Sequence, residues 1–419
     1  MASPLDVLAL ILAGGRVDEL DVLTYHRPKS AVPFGGVARV IDFALSNLMH
    51  SGIERVGVLS QFRSFSLINH IGSGIAWDMA GRHRGIDVLP PFLDHGHSHW
   101  YRGTADAVYQ NRDFIQFLDP AHTLVLSGDH VYRMDYRQLI GFHKKNNADI
   151  TIAFARVSGE SAHRFGIGEI GGDEDGPGGP LLSYEEKPET PRGCWASLTI
   201  LCCNTDLLLA TLAGNQQRDD SYEFGRDIIP RLLRDGKKVY GYRFRGYWGY
   251  TRTVHEYWRT SMDLLGDAPK IPLEEWRIRT NMEHRGIRDH KPLLIGPAGS
   301  LVNSLAYNGC EVHGHVENSI LFPGVHIAAG ASVRDSILFF KNRVEGGVEI
   351  VKTISDVNNV FGPEARIGAL GCETTERPVV VGWNNSVPAG TVIGAGASVV
   401  PACQAAHWPR KIDPEAFLE

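Results

Sequence analysis

Apolar positions along this chain follow two different periods, one on each side of residues 266–290. Before that stretch, apolar runs of strand length alternate with segments whose apolar residues recur at helical spacing. The clearest runs are Val7–Leu12, Val56–Leu59, Leu124–Ser127 and Ile150–Ala153. This alternation predicts an α/β domain at 1–265 with a mostly parallel sheet, whose ligands bind at the carboxyl ends of the strands.

After residue 291, apolar residues recur every six positions. The two clearest series are Leu321, Ile327, Val333 and Phe339, and Val381, Val387, Ile393 and Val399. A six-residue period predicts a parallel β-helix over 291–405, in which each apolar residue stacks on its counterpart one coil below. Chance β-hairpins are the alternative, and two separate series argue against them. The period is lost over 340–380, where we expect loops or an irregular coil, and residues 406–419 are expected to form a tail.

Length, charge and cysteines narrow the class of protein. A chain of 419 residues exceeds one compact core, and the charged, proline-bearing segment 266–290 is the expected linker. The net charge of −6 argues against a nucleic-acid partner, which needs a basic surface. The first apolar run is far shorter than the ~20 residues of a membrane span. Six cysteines without C-x-x-C spacing favour free thiols in a reducing compartment, and hence the cytoplasm.

A candidate phosphate-binding turn follows the first apolar run. The turn Gly14–Gly15 lets the backbone approach an anion closely, and a cation soon after it would complete such a site. The chain places Asp18 and Glu19 there instead. Two cations, Arg27 and Lys29, come before a second glycine turn. They either stabilise phosphates or belong to a solvated helix end.

Three further segments carry candidate chemistry. Asp129 follows the run 124–127, where a sheet edge presents a magnesium ligand, although a capping aspartate is the alternative. Tyr101 and Gly103 precede a predicted helix start, which by itself needs no functional explanation. Lys187, in an acidic stretch before a proline, offers a point charge for a phosphate.

Three histidines alternate in the segment DHGHSHW. On a strand, His95, His97 and His99 would face one way and offer a zinc site. On a glycine-bearing loop the alternation carries little weight, and no cysteine or carboxylate cluster completes the ligand set. The pattern therefore favours a loop over a zinc site.

Taken in order and followed by hexapeptide repeats, these segments resemble the ADP-glucose pyrophosphorylase (glucose-1-phosphate adenylyltransferase) family of bacterial glycogen and plant starch synthesis. The most specific phrases are Pro33–Gly36 with Arg39–Asn47, Trp100–Val108 and Phe224–Pro230. The resemblance covers nearly the whole chain. It implies a Rossmann-like nucleotidyltransferase domain and a left-handed β-helix, usually in a tetramer. It also implies the reaction of ATP with glucose-1-phosphate to ADP-glucose and pyrophosphate, with Mg²⁺ and no organic cofactor.

The same resemblance implies roles for individual residues. Nucleotide contacts are implied at Gly14, Gly15, Arg16, Gln61, Tyr101 and Gly103. Sugar-phosphate contacts are implied at Gly166, Glu186, Lys187, Ser197 and Glu223. Lys29 is implied as the catalytic phosphate cation and Asp129 as the catalytic metal ligand, while Arg27 and Arg39 match cations near an anionic effector site.

The chain departs from the family at two positions of the catalytic centre. Glu19 stands where the family has an arginine that faces the triphosphate. One charge pair at ~4 Å and an effective dielectric near 20 is worth about 4 kcal/mol, and here its sign is reversed. Tyr250 stands where the family has the aspartate that shares the magnesium with Asp129, and one remaining carboxylate holds magnesium weakly.

Smaller departures accompany these two. Val17 replaces a glycine of the loop, and His26 stands where many members have lysine. In the sugar pocket, Thr199 replaces a glycine and Glu223 an aspartate. These changes predict a remodelled loop and an altered fit of the sugar.

The resemblance and its departures favour a weakly active or non-catalytic regulatory subunit. Its expected ligands are ATP or ADP-glucose with glucose-1-phosphate, or an anionic effector. Its expected assembly is a homotetramer or a heterotetramer with an active subunit. One alternative is an active enzyme on these substrates or another sugar phosphate, with Arg252 supplying a cation. Another is an interaction scaffold built on the β-helix.

Overall fold

The computed structural model describes residues 6–15, 18–94, 97–98, 100–158, 162–218, 221–368 and 375–418, with only the backbone described at 93–94, 97–98 and 284–286. The chain folds into two compact units. The first consists of residues 1–15, 43–64 and 71–248, and the second of residues 16–42, 65–70 and 249–419. The domain boundaries expected at residues 265 and 290 stay predictions. The tail expected at 406–419 is wrong for its described residues, because Lys411–Ile412 and Phe417–Leu418 pair in parallel with strands of the preceding coil.

The first unit is built on a nine-stranded sheet. Its strands are β1 (Val7–Leu12), β2 (Arg55–Leu59), β3 (Gly85–Leu89), β4 (His122–Ser127), β5 (Ile150–Arg156), β6 (Gly166–Ile170), β7 (Gly178–Glu186), β8 (Trp195–Asn204) and β9 (Val239–Phe244). Their order is β5-β9-β7-β6-β8-β4-β1-β2-β3, and β5 also pairs with β8. Strands β3, β2, β1 and β4 run parallel, as the sequence predicts. The pairs β6–β7, β6–β8 and β8–β4 are antiparallel. Of these, β6 and β7 are joined by a short connection, which is the usual link between antiparallel neighbours.

Strand β1 explains why the first apolar run has no polar alternation. Residues Leu8, Leu10 and Ile11 are completely buried, as expected for a parallel strand covered on both faces. Leu12 pairs with the last residue of β2 and with the last residue of β4. The carboxyl ends of three parallel strands therefore meet at one edge of the sheet, which is where the candidate residues lie.

Helices connect the strands and flank the sheet. The helices of the described chain are Ile41–His50, Phe65–Ile71, Thr104–Gln110, Arg112–Leu118, Tyr136–Lys145, Thr205–Gln216, Ile229–Arg234, Val254–Met262 and Leu273–Trp276, with a π-helical turn at Phe224–Ile228. Short 3₁₀ segments lie at Asp18–Thr24, Lys29–Ala31, Ile75–Trp77, His284–Asp289 and Ala405–His407. In the described ranges, no helix has the length and apolar character needed to cross a bilayer.

The second unit contains a parallel β-helix with three faces. The first face stacks Leu294–Ile295, Glu311–Val312, His326–Ile327, Arg343–Val344, Val360–Phe361 and Ser386–Val387. The second stacks Ser300–Val302, His315–Glu317, Ser332–Arg334, Glu349–Val351, Arg366–Ile367, Val392–Ile393 and Lys411–Ile412. The third stacks Leu305–Ala306, Ile320–Leu321, Ile337–Leu338, Thr353–Ser355, Val379–Val381, Ser398–Val399 and Phe417–Leu418. The predicted parallel β-helix is confirmed, because the strands of all three faces pair in parallel.

The expectation of loops or irregular coil over 340–380 is wrong for the described part of that segment. Strands of all three faces continue through it, from Arg343–Val344 to Arg366–Ile367. The period is lost in the sequence because Leu321 pairs with Leu338 one coil later. A strict six-residue period would place Phe339 there, so this coil is one residue shorter than the period requires. The next residue of that stack is Ser355, a buried polar residue where an apolar one is expected.

Within the second unit, segment 18–42 packs on the β-helix. Tyr307 donates its hydroxyl hydrogen bond to the Gly35 carbonyl. Gly36 has φ +90°, and a Cβ there would lie 1.7 Å from the Tyr307 ring. The side chain of Asp21 likewise pairs with Arg377. The second glycine turn therefore has a packing role, since only glycine leaves room for the tyrosine ring.

Candidate active site

The glycine turn after β1 is held against the end of β2. The amide of Ala13 donates to the Leu59 carbonyl at 2.9 Å, and the Phe62 amide donates to the Gly14 carbonyl at 3.2 Å. A Cβ on Gly14 would lie 3.1 Å from the Gln61 amide nitrogen. A larger residue at 14 would therefore push the two turns apart. Arg16 and Val17, the next residues of the predicted loop, lie outside the described part of the chain.

Gln61 and Tyr101 join this turn to the segment before helix Thr104–Gln110. The Tyr101 amide donates to Gln61 Oε1, and Gln61 Nε2 donates to the Tyr101 carbonyl at 3.5 Å. The Tyr101 hydroxyl donates to the Leu89 carbonyl at 3.0 Å and accepts from Asn111 Nδ2 at 3.0 Å. Burial raises the pKa of Tyr101, so its hydroxyl stays protonated. The structure thus brings Gly14, Gln61 and Tyr101 together as predicted, while their contact with a nucleotide stays a prediction.

A carboxylate is fixed at the start of the same helix. Thr104 Oγ1 donates to Glu223 Oε2 at 2.7 Å and accepts from the Phe224 amide at 3.0 Å. Gly103 is required beside it, because a Cβ there would lie 2.4 Å from the Tyr222 carbonyl oxygen. Glu223 and Gly103 are among the residues implied by the resemblance, whereas Thr104, the first residue of the helix, was not among the predicted site residues. Its partner lies over a hundred residues away, which no local signal reveals.

A second carboxylate, Glu186, lies at the end of β7. The Tyr184 hydroxyl donates to Glu186 Oε2 at 2.7 Å. A Cβ on Gly166 would lie 2.6 Å from that oxygen, and a Cβ on Gly225 would lie 2.1 Å from it. Burial, and then the charge of Glu186, raise the pKa of Tyr184 well above its ordinary value. The two glycines therefore make room for a carboxylate whose position the tyrosine fixes, and Tyr184 and Gly225 were not among the predicted site residues.

Lys187 and Thr199 both have left-handed backbone conformations near this carboxylate's strand. Lys187 has φ +50°, and its amide donates to the Phe165 carbonyl at 3.0 Å. Thr199 has φ +52°, at an irregularity in the pairing of β5 with β8, and its amide donates to Ser197 Oγ at 3.4 Å. Positive φ favours glycine and strains a β-branched residue. Thr199 stands where the resemblance implies a glycine, and its backbone still has the conformation that glycine prefers.

Asp129 follows the carboxyl end of β4, beside the end of β1. Its carboxylate accepts a hydrogen bond from Ser127, and His130 Nε2 lies 3.6 Å from Oδ1. The side chain is almost fully buried. A buried carboxylate next to the glycine turn suits Mg²⁺, which takes oxygen ligands and usually retains phosphate or water oxygens. A single carboxylate at this edge fits a weakly held ion, and that metal role stays a prediction.

Two of the candidate residues, Glu19 and the cation Lys29, belong to the second unit. Lys29 is half-buried and begins the turn Lys29–Ala31. Glu19 lies in the 3₁₀ segment Asp18–Thr24, and Arg252 Nη2 lies 3.5 Å from Glu19 Oε1. Both side chains keep solvent contact, at 51% exposure for Glu19 and 33% for Arg252. Tyr250, two residues before this arginine, is half-buried.

The predicted effector cations are buried and bound to protein acceptors. Arg27 Nη2 contacts both carboxylate oxygens of Asp356 at 2.8 and 2.9 Å. Arg39 Nη1 donates to the Ala31 carbonyl at 3.0 Å and to Ser66 Oγ at 2.9 Å. The structure therefore gives both arginines a role in holding the second unit together, and their effector role stays a prediction.

The histidine segment adds no geometry to the site. His95 and His99 lie outside the described residues, and only the backbone of His97 is described, in the two-residue strand His97–Ser98. The structure therefore does not test whether these histidines bind zinc, and the interpretation against a zinc site stays a prediction.

Comparisons with known proteins cover both units. Residues 8–266 match the family described as Nucleotidyl transferase, and residues 295–377 match the one described as GlmU-like, C-terminal hexapeptide. The glucose-1-phosphate adenylyltransferase of Acetivibrio thermocellus is 38% identical, over 96% of this chain and 95% of the relative. That of Desulforamulus reducens is 38% identical, over 94% of this chain and 98% of the relative. That of Halalkalibacterium halodurans is 43% identical, over 78% and 84%.

Proposed function

The chain belongs to the glucose-1-phosphate adenylyltransferase family, and we propose that it is a weakly active or non-catalytic regulatory member that still binds nucleotide and sugar phosphate. The observation that carries the proposal is the ion pair between Glu19 and Arg252 at 3.5 Å. At the position of Glu19 the resemblance implies an arginine directed at the triphosphate. In this chain the position contributes an acid whose charge is already matched.

We expect the ion pair between Glu19 and Arg252 to affect nucleotide binding less than catalysis. A carboxylate alone would repel a triphosphate, but the nearby guanidinium offsets that repulsion, which supports the proposal that nucleotide binding is retained. The pair has no net charge, so it adds no positive charge where negative charge develops in the transition state. Loss of one such group costs on the order of 10²–10³ in rate.

The second missing group is a carboxylate for the metal. Tyr250 has no carboxylate to offer, which leaves Asp129 and the phosphates of the substrate to hold Mg²⁺. When bound, the ion neutralises charge on the phosphates during displacement. The residues present fit an ion that is held weakly and placed with little precision. Together with Glu19, this supports slow chemistry or none.

The binding residues of the first unit support retained ligand binding. Glu186 is held by Tyr184, and Glu223 by Thr104, so two acceptors for sugar hydroxyls are fixed before any ligand arrives. Fixed polar groups lower the entropy lost on binding.

The proposal extends to assembly and location. A member that binds ligands without turning them over acts through an active subunit, so we propose a heterotetramer with such a subunit, or a homotetramer if activity remains. Free thiols at Cys194, Cys202, Cys203, Cys310 and Cys403 support a reducing compartment such as the cytoplasm.

One observation favours an active enzyme as the second candidate. Arg252 remains one-third exposed beside Glu19, so its guanidinium is still accessible to an anion from solvent. Lys29, Asp129 and Lys187 are retained as well. In this reading, Arg252 replaces the missing arginine from another part of the chain.

Pyrophosphate release distinguishes the two candidates. The purified chain is assayed with ATP, glucose-1-phosphate and Mg²⁺, alone and mixed with an active family member, while calorimetry measures binding of ATP and ADP-glucose. We expect binding, little release by the chain alone, and an altered response of the mixture to metabolites. Release at ordinary enzyme rates by the chain alone would overturn the regulatory proposal. Absence of binding to either nucleotide would overturn both candidates and favour a scaffold.

A further inference from the structure

Three metal-binding side chains come together on the outer surface of the β-helix. Glu311 and His326 are register partners on consecutive coils. Their neighbours Val312 and Ile327 are fully buried in the helix core, so the two polar residues point outward. His313, two residues after Glu311, is half-buried on the same side.

The distances suit a shared ligand. His313 Nε2 lies 3.9 Å from Glu311 Oε2, and His326 Nε2 lies 3.8 Å from the same oxygen. One donor atom from each of the three residues lies within 4.8 Å of the other two. In tetrahedral zinc sites with bonds of ~2.0–2.1 Å, donor atoms are about 3.3 Å apart. Each imidazole nitrogen has to approach Glu311 Oε2 by about half an ångström, and no two donor atoms have to approach each other by more than about 1.5 Å, to reach coordination distance.

The charges around Glu311 prepare it as a ligand. Lys291 Nζ bonds Glu311 Oε1, which leaves Oε2 facing the two imidazole rings. The Lys291 hydrogen bond and charge lower the pKa of Glu311, so the carboxylate is ionised at neutral pH. A hydrogen bond to the second oxygen of a ligating carboxylate is the usual support for a metal site.

We propose that Glu311, His313 and His326 bind one Zn²⁺ ion, or a similar transition-metal divalent cation, with water as the fourth ligand. Two imidazoles and one carboxylate are donors that select such metals over Mg²⁺ or Ca²⁺. Because Glu311 and His326 belong to different coils, the ion links consecutive turns of the β-helix. Its binding stabilises the folded chain by a free energy that grows with the logarithm of the metal concentration once that concentration exceeds the Kd.

The test uses the full-length chain, freed of any affinity tag and of metal. Calorimetric titration with Zn²⁺, and visible spectra with Co²⁺, measure stoichiometry, affinity and geometry. We expect one ion per chain and tetrahedral Co²⁺ bands. We expect His313→Ala combined with His326→Ala to weaken binding by more than about 100-fold. The control is His315→Ala. His315 Nε2 lies 3.5 Å from Glu317 on another face, and this pair is not part of the three-residue cluster. The control variant should therefore bind Zn²⁺ as the native chain does.

Thermal unfolding gives an independent readout. Zn²⁺ should raise the Tm of the native chain and of His315→Ala, but not that of Glu311→Gln or the double histidine variant. If the double variant fails to fold, the milder His326→Gln is compared in the same way. Unchanged zinc affinity in the variants would place the ion elsewhere, for example at His95, His97 and His99, and would overturn the proposal. Failure of the native chain to bind Zn²⁺ would overturn it as well.

Discussion

The Arg252 guanidinium lies 3.5 Å from the Glu19 carboxylate, within one compact unit of the chain. Sequence reasoning treats Glu19 as an uncompensated reversal of charge worth about 4 kcal/mol. The pair changes that view, because a matched carboxylate repels a phosphate far less than a free one. Under the proposed function, we therefore expect Glu19 to cost transition-state stabilisation more than it costs affinity for the nucleotide.

The first prediction is that Arg252→Gln weakens ATP binding. The substitution frees the Glu19 charge, and for a pair as exposed as this we expect a loss of up to about 1 kcal/mol, or about five-fold in Kd. The loss should shrink at high salt, which screens exposed charges. Calorimetric titration with ATP at low and high salt measures both effects.

A double-mutant cycle isolates the pair. Glu19→Gln combined with Arg252→Gln should bind ATP as the native chain does, because neither charge remains. Arg259→Gln removes an exposed arginine on helix Val254–Met262 and serves as the control. Equal losses in the single and double variants would mean that Arg252 contacts the nucleotide directly, as the active-enzyme candidate requires.

The second prediction concerns recovery of activity. Tyr250→Asp restores the implied second metal carboxylate and should lower the Mg²⁺ concentration needed for half-maximal pyrophosphate release. Adding Glu19→Arg requires Arg252→Gln as well, since two arginines would otherwise be neighbours. The triple variant should raise kcat by about 10²-fold over the native chain. Tyr250→Phe, which supplies no carboxylate, should leave the Mg²⁺ dependence unchanged, and equal behaviour of the Asp and Phe variants would contradict the reading of this position.

The third prediction is that Thr199→Gly stabilises the fold. Thr199 has φ +52°, a conformation that costs a residue with a Cβ roughly 1–2 kcal/mol. Glycine removes that strain but increases the entropy of the unfolded chain, so we expect a net gain of about 0.5–1 kcal/mol in the free energy of unfolding. Urea unfolding measures it. Thr199→Ala keeps a Cβ at the strained position, and no advantage of Gly over Ala would show that the strain is absent.

The sequence predicted features that depend on near neighbours and missed those that depend on distant ones. The apolar run of β1 and the turn at Gly14 follow from local pattern, and the structure has both. Gly36 makes room for Tyr307, and Glu19 pairs with Arg252, and each partner lies more than two hundred residues away. No single-chain pattern encodes such contacts.

Register in the β-helix was missed for a different reason. The six-residue period assumes equal faces, but the step from Val333 to Leu338 is one residue short. Small shortfalls of this kind accumulate, so a strict six-residue period that starts at Leu321 stops matching after one coil although the coils continue. Stacking of side chains, rather than sequence spacing, maintains the register of a parallel solenoid.

The last prediction concerns pH and a buried histidine of the first unit. His143 is 2% exposed, and its Nδ1 lies 2.9 Å from Thr151 Oγ1. Burial first, and then the neighbouring His122, lower the pKa of His143 to about 4. Between pH 6.5 and about 4 the unfolded chain binds a proton that the folded chain does not. Stability from this group is therefore complete above pH 6.5 and is lost as the pH falls through that window, by about 3 kcal/mol in all.

His143→Asn tests this origin of acid sensitivity. The asparagine amide retains a hydrogen-bonding group near Thr151 but does not titrate, so the variant should be less stable at pH 7.5 yet lose less stability between pH 6.5 and 4.5. Urea unfolding at steps of half a pH unit gives both slopes. His83→Gln, at an exposed position of the same unit, should follow the native slope. If His143→Asn follows the native slope too, the acid sensitivity arises from other groups. Linkage requires this conclusion, because a variant without the titrating site takes up fewer protons on unfolding and must show a smaller slope.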